Sequence, residues 1–453
     1  MATDITSQQI HGQPLDRAVD RTQAPSGSPN LSRVTVAALA GTAVEHYDFH
    51  LYGMAAALVF GHQFFPKLGV ANSLLASFSV SVVAFVARPV GAVVFGHFGD
   101  RLGRKGVLVI SLLLMGLSTA AVGALPGYRS WGVWAPATLV LLRFCQGLGL
   151  GGEWGGAALL VAEHAPHGRR GRYAGYLQLG SFAGSVLATA VFVTLSAGLS
   201  GAEFASWGWR LPFLGSILLV GLGLFVRLRI DETPTFARQT TTGRPAVPVF
   251  EVLRDHWRGV LLGTGMLAFG YAFFYLSSSY VLAYATTELR VDRTLMLVLQ
   301  LLVAPVGALA VWYGTGRSDR WGRRRVLLIG IVLAAGWSLA IFPLLESLRP
   351  ALILLAMLGS ALALGVLHGP TGAYLPELFP TRVRYTGAAL TYNLGGVIGG
   401  ATAPLLATRM TAHYGTAAPM GWYLVGLGVV SVLCLRALPE TIGRDLAVDA
   451  SPA

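Results

Sequence analysis

Glu45, Asp48 and Tyr52 stand at i, i+3 and i+7 of one long apolar stretch, so a helix there puts them on one face. A carboxylate in such surroundings is costly unless it is paired or faces a water-filled cavity. The chemistry it offers is proton loading and release, with Glu45 or Asp48 as the site, or else a structural ion pair. His46 and His50 lie among them, where an imidazole can join proton transfer or hold a structural hydrogen bond. Two guanidiniums, Arg88 and Arg143, are embedded in later apolar stretches. Their planar fork suits a carboxylate bidentately, whether that of an anionic substrate or that of Asp48. Arg143 is the first choice for substrate binding, and Arg88 is divided evenly between structure and function. Gln178, Tyr275, Tyr392 and Asn393 join Tyr52 as polar groups in apolar surroundings, suited to a polar ligand or to internal packing. Tyr271, Ser278 and His368 are of the same kind. Glu153 is expected to pair with a basic partner, and Glu163 to join the arginines that follow it.

The elements that hold these residues are legible from composition. The chain is 54% apolar and 12% charged, where a soluble protein is about a quarter charged, so its solvent is lipid. Apolar segments near the spanning length of about 20 residues recur at 34–61, 73–98, 106–126, 135–164, 173–199, 209–228, 259–287, 294–315, 326–345, 350–377, 386–411 and 418–437. Twelve helices follow. The turns after even-numbered spans are rich in Arg and Lys and those after odd-numbered spans are poor, so the even turns and both termini are expected in the cytoplasm. The net charge of +12 is thereby explained by topology and not by nucleic acid. Residues 1–33 read as a disordered cytoplasmic tail without a signal peptide, 229–258 as a cytoplasmic linker with a short amphipathic helix, and 438–453 as a second tail. Cys145 and Cys434 both fall in apolar runs, which leaves no disulfide framework or paired-cysteine metal site.

Between the second and third spans, Gly96, Asp100, Arg101, Gly103, Arg104 and Lys105 form a compact charged turn. Ser318, Asp319, Arg320, Gly322 and Arg323 nearly repeat it half a chain later. A turn copied at half-length implies two similar six-helix halves, 34–228 and 259–437. A carboxylate among guanidiniums in each turn can act as an ion-pair latch or merely anchor the turn in water.

These turns and twelve spans resemble the major facilitator superfamily. Val44–Phe49, Ala87–Gly91, Arg143–Gly147, Gly151–Gly156 and Pro376–Gly387 narrow the resemblance to the metabolite:proton symporter family, over about residues 34 to 445. The resemblance implies an all-α membrane fold, alternating access, a monomer and a bacterial inner membrane. It also implies a latch at Asp100, Arg101 and Arg104, and charge that gates the cytoplasmic side between Glu377, Arg382 and Arg384. His46 departs from the pattern, which usually has Trp there.

The reading is a secondary transporter that imports a small, anionic organic acid with protons and needs no metal or other cofactor. A proline- or betaine-type zwitterion symporter is the alternative, and an efflux antiporter is a third option. There is no Walker A run for ATP-driven pumping. There is also no HExxH or GxSxG set for a membrane enzyme.

Overall fold

A backbone in lipid must satisfy its own hydrogen bonds, and here the apolar runs do so as helices. In the computed structural model, residues 29–102, 104–166, 168–228 and 248–444 are described, and no strand occurs among them. The spans are α1 (29–64), α2 (Val70–Leu102), α3 (Arg104–Ala124), α4 (134–164), α5 (Arg170–Gly198) and α6 (201–228). The second set is α7 (Trp257–Thr287), α8 (Arg293–Trp321), α9 (Arg323–Glu346), α10 (Pro350–Glu377), α11 (384–414) and α12 (Pro419–Ala437). The amphipathic helix ahead of α7 runs over Pro248–Asp255. Most of the expected tails and linker, together with Gly103, lie outside the described residues.

Among the described residues eight helices are long and apolar enough to cross a membrane unaided, and α6 makes a ninth when its bend is bridged. The remaining three, α1, α4 and α11, fall short because they are polar or broken. They carry Glu45, His46, Asp48 and His50; Arg143, Gln146 and Glu153; and Tyr392 and Asn393. The weakest membrane signal therefore marks the spans with the most chemistry, as expected when ionisable groups are kept for function.

The duplication read from the two charged turns is visible in the packing. In the first half α1 packs on α5, α2 on α4 and α3 on α6. In the second, α7 packs on α11, α8 on α10 and α9 on α12. The halves meet along α5–α8 and α2–α11. Close approach depends on small residues: a Cβ at Gly147 of α4 would strike the Ala84 carbonyl of α2.

Candidate transport site

α2 carries Arg88 immediately before Pro89, and α1 carries Glu45 opposite it. Both side chains open on a cavity of ≈ 120 Å³ between the halves. The first half also contributes His46, Phe49, His50, Ser181, Ser185 and Thr189 to its walls. The second contributes Tyr271, Phe274, Tyr275, Gln300, Ser360, His368 and Tyr392. The Arg88 guanidinium lies 3.9 Å over the Phe49 ring and 4.5 Å over Phe85. Stacking holds a planar cation without consuming its in-plane donors, and Arg88 Nε has no hydrogen-bond partner among the described residues. Glu45 is 3% exposed and Arg88 3%, so both charges are held inside the protein.

The acidic pair of α1 does not share one environment. Glu45 faces the cavity, but Asp48 is turned toward α3, where its Oδ2 accepts a hydrogen bond from Thr119 Oγ1 at 2.8 Å. Thr119 Oγ1 in turn accepts from Gln146 Nε2 at 2.5 Å. Gln146 Oε1 accepts from the Arg143 guanidinium. Arg143 and Asp48 thus meet through two intermediaries. The Arg143 guanidinium also lies 3.7 Å over the Tyr52 ring, and both border a smaller cavity with Ser81, Tyr275 and Ser279. One-face spacing placed Asp48 beside Glu45; a step of three residues falls about 60° short of a full turn, enough to send Asp48 to a different neighbour.

Tyr275 and Tyr392 line the main cavity. The Tyr392 ring is stacked on Trp154 of α4 at 3.7 Å, across the boundary between halves. Gln178 and Asn393 sit just outside the cavity walls and tie the halves together. Gln178 Nε2 donates to the His368 carbonyl at 2.8 Å, and Asn393 Nδ2 donates to the Gly151 carbonyl at 3.2 Å. Tyr385 Oη donates to Gly152 at 2.6 Å, so the break in α4 is capped from α11. Glu153 is buried beside this break, within electrostatic reach of Asp48.

The arginine-rich end is closed by a second network. Asp319, near the end of α8, accepts hydrogen bonds from the backbone N–H groups of Gly171 and Arg172, each at 2.8 Å. These are orphan donors of the first turn of α5, where helix termini favour an anion. Arg323 bridges Asp319 at 2.6 Å and Glu377 at 3.2 Å. A Cβ at Gly171 would strike Arg323, Ser318 and Asp319, so the contact requires glycine. Gly96 lies against Tyr385, and Arg320 is exposed. Arg382 pairs with Glu251 of the short amphipathic helix, while Glu377 is engaged by Arg323. Of the first-half turn, the side chains of Asp100, Arg101 and Arg104 lie outside the described residues, as does that of Glu163.

Thr119, Gln146, Gln300 and Glu440 are site and network residues that sequence reading did not select. Gln146 was visible only inside the Arg143–Gly147 stretch. Glu440 caps the first turn of α9 through Arg323 N at 2.9 Å and Arg324 N at 3.0 Å, a role with no local signature.

The family model described as Major Facilitator Superfamily matches residues 38–392. The chain belongs to the major facilitator superfamily. It is 41% identical over 422 residues to the inner membrane metabolite transport protein YhjE of Escherichia coli (strain K12), covering 92% of this chain and 96% of that one. It is 34% identical to the shikimate transporter of the same organism, covering 95% and 99%. A proline/betaine transporter of Salmonella typhimurium (strain LT2) is 32% identical, covering 93% and 86%. These relatives place it in the metabolite:proton symporter family, as a multi-pass membrane transporter and not an enzyme. Among solved structures, the proton:xylose symporter XylE aligns with a TM-score of 0.74 at 19% identity, over 92% of this chain and 98% of that one, a likeness of fold.

Proposed function

We propose that the chain is a secondary transporter that takes up a small organic acid together with protons. Its halves alternate around the Arg88 cavity. The observation that carries this reading is the convergence of one guanidinium and one carboxyl group, Arg88 and Glu45, on a single cavity between the halves. A substrate carboxylate would lie against the Arg88 guanidinium, whose Nε has no partner among the described residues. Around it, Ser185, Thr189 and Ser360 spend their protons on carbonyls of their own helices, at 2.9, 2.8 and 2.7 Å. Their oxygens therefore face inward as acceptors, which suits a substrate bearing hydroxyl donors. Coupling would rest on Glu45 or on the Asp48–Thr119–Gln146–Arg143 chain, with His46 close by.

The relatives' names support an inner-membrane setting. The arginine distribution supports placing the latch end, both termini and the 229–258 linker in the cytoplasm. We take the working unit to be a monomer. One observation favours the zwitterion alternative: Tyr271, Phe274, Tyr275 and Tyr392 line the same cavity as Glu45, and aromatic faces of this kind recognise a quaternary ammonium.

The test is uptake into proteoliposomes under an imposed inward proton gradient. The panel is shikimate, aliphatic di- and tricarboxylates, proline and glycine betaine. Accumulation of one acid that collapses with a protonophore is expected. Accumulation of betaine alone would move the assignment to the zwitterion. Gradient-driven exit of the same compounds, with no uptake, would make the protein an antiporter.

A further inference from the structure

A second cavity lies at the arginine-rich end, away from the transport site, and has the opposite character. It is a cleft of ≈ 440 Å³ between the start of α5 and the end of α8, lined by Arg169, Arg172, Trp312, Tyr313, Arg317, Asp319 and Arg320. Two of its arginines come from each half. Its one carboxylate, Asp319, is already engaged by Gly171 N, Arg172 N and Arg323. Among the described residues none of the four lining arginines has a carboxylate partner. Arg172 lies 4.7 Å over Trp312, and Arg317 lies 4.8 Å over Tyr313 and 4.7 Å over Trp321, which pre-orients both guanidiniums.

We propose that this cleft binds the phosphodiester headgroup of an anionic membrane phospholipid. Four guanidiniums held together, with no carboxylate partner among the described residues, call for a phosphate-class anion, to which their forks can donate in pairs. The surroundings choose a lipid over a soluble phosphate. Leu302 and Leu309 are 59% and 68% exposed on α8, followed by Tyr313 at 53% and then by exposed Arg320. These residues fall at i, i+7, i+11 and i+18, on one helical face. The face gives an acyl chain an apolar track that ends in aromatics of the interfacial kind and then in the arginines. A headgroup seated there joins the two halves across their α5–α8 contact.

Native mass spectrometry of the detergent-solubilised full chain tests this, with phosphatidylglycerol, phosphatidylcholine and inorganic phosphate as separate probes. Adducts of phosphatidylglycerol are expected with roughly tenfold preference over phosphatidylcholine, about 1.4 kcal/mol. The preference should vanish in the Arg169→Gln/Arg172→Gln/Arg317→Gln/Arg320→Gln variant and persist in Arg349→Gln/Arg436→Gln. If the fourfold variant does not fold, Arg169→Gln/Arg320→Gln removes one exposed arginine from each half and is expected to reduce the preference severalfold. An unchanged preference in either cleft variant overturns the site. Inorganic phosphate that binds alone, or displaces the lipid, overturns the lipid assignment in favour of a soluble anion.

Discussion

Thr119 has one hydroxyl proton and two acceptors in reach: Asp48 Oδ2 at 2.8 Å and the Met115 carbonyl at 3.0 Å. When Asp48 is ionised, the hydroxyl donates to it. When Asp48 is protonated, the carboxylic acid can donate to Thr119, whose own proton turns to Met115, while Gln146 continues to donate from the other side. The side chain can thus satisfy both protonation states without rearranging the helices. Thr119→Val should therefore slow gradient-driven accumulation several-fold, and Thr119→Ser should restore it. Asp48→Asn should abolish accumulation while leaving substrate exchange across the bilayer, as read by counterflow. At the cavity, Arg88→Gln should remove saturable uptake. Arg88→Lys keeps the charge but loses the fork and the stacking, and should raise KM by about tenfold with a smaller change in kcat. Glu45, Asp48, Arg88 and Arg143 could all be found from sequence, because an ionisable residue in an apolar run is conspicuous. Thr119 and Gln146 could not, because an uncharged polar residue in a span gives the same signal whether it bonds its own helix or a neighbour's carboxylate.

Helices α1 and α7 occupy matching places in the two halves, and each contains a single π turn, at Ala56–Phe60 and Leu276–Tyr280. The two turns are separated by the same interval as Asp100 and Asp319, to within one residue. A π turn accommodates an extra residue and weakens the local ladder, so it is a natural place for a helix to flex. Two more lie at Phe204–Gly208 in α6 and at Gly396–Ala401 in α11, the latter just beyond Tyr392. Sequence showed the spans that these turns interrupt but not the turns themselves, since one extra residue hardly alters an apolar pattern. The latch is more sharply built. Gly171→Ala forces a methyl group into Ser318, Asp319 and Arg323, and an overpacked contact of this kind costs about 1–3 kcal/mol. That cost falls on the closed arrangement of α5 and α8. The variant should unfold at a lower temperature in detergent and expose the α5–α8 seam, measured as faster proteolysis or hydrogen exchange over residues 170–175.

Alternating access requires that each closed end be held by contacts comparable in strength to those gained when the other end closes. At the arginine-rich end the halves are joined by Asp319 on the α5 amides, and Arg323, tied to Glu377 of its own half, holds Asp319 in place; Arg323 and Glu377 are only 3% and 2% exposed at their side chains. Removing one partner of a buried pair costs about 3–5 kcal/mol, because the remaining charges stay desolvated without compensation. Arg323→Gln leaves Asp319 in this condition while that end is closed, and parting from the α5 amides rehydrates it. Such a penalty is enough to carry a two-state population from mostly closed to mostly open. A reporter is available at Thr315, which is fully buried beneath the latch and beside Gly175. In a Cys145→Ser/Cys434→Ser background, Thr315→Cys should react slowly with a membrane-impermeant maleimide added from the latch side. Adding Arg323→Gln should raise that rate by at least about tenfold, in line with the population shift. Asp319→Asn should do the same more weakly, since the amide oxygen can still accept from one of the two α5 amides. An unchanged rate in both variants would mean that the charged turn only anchors the chain in water, and the work of closing that end would pass to the Trp154–Tyr392 stack and the Gln178 and Asn393 bridges.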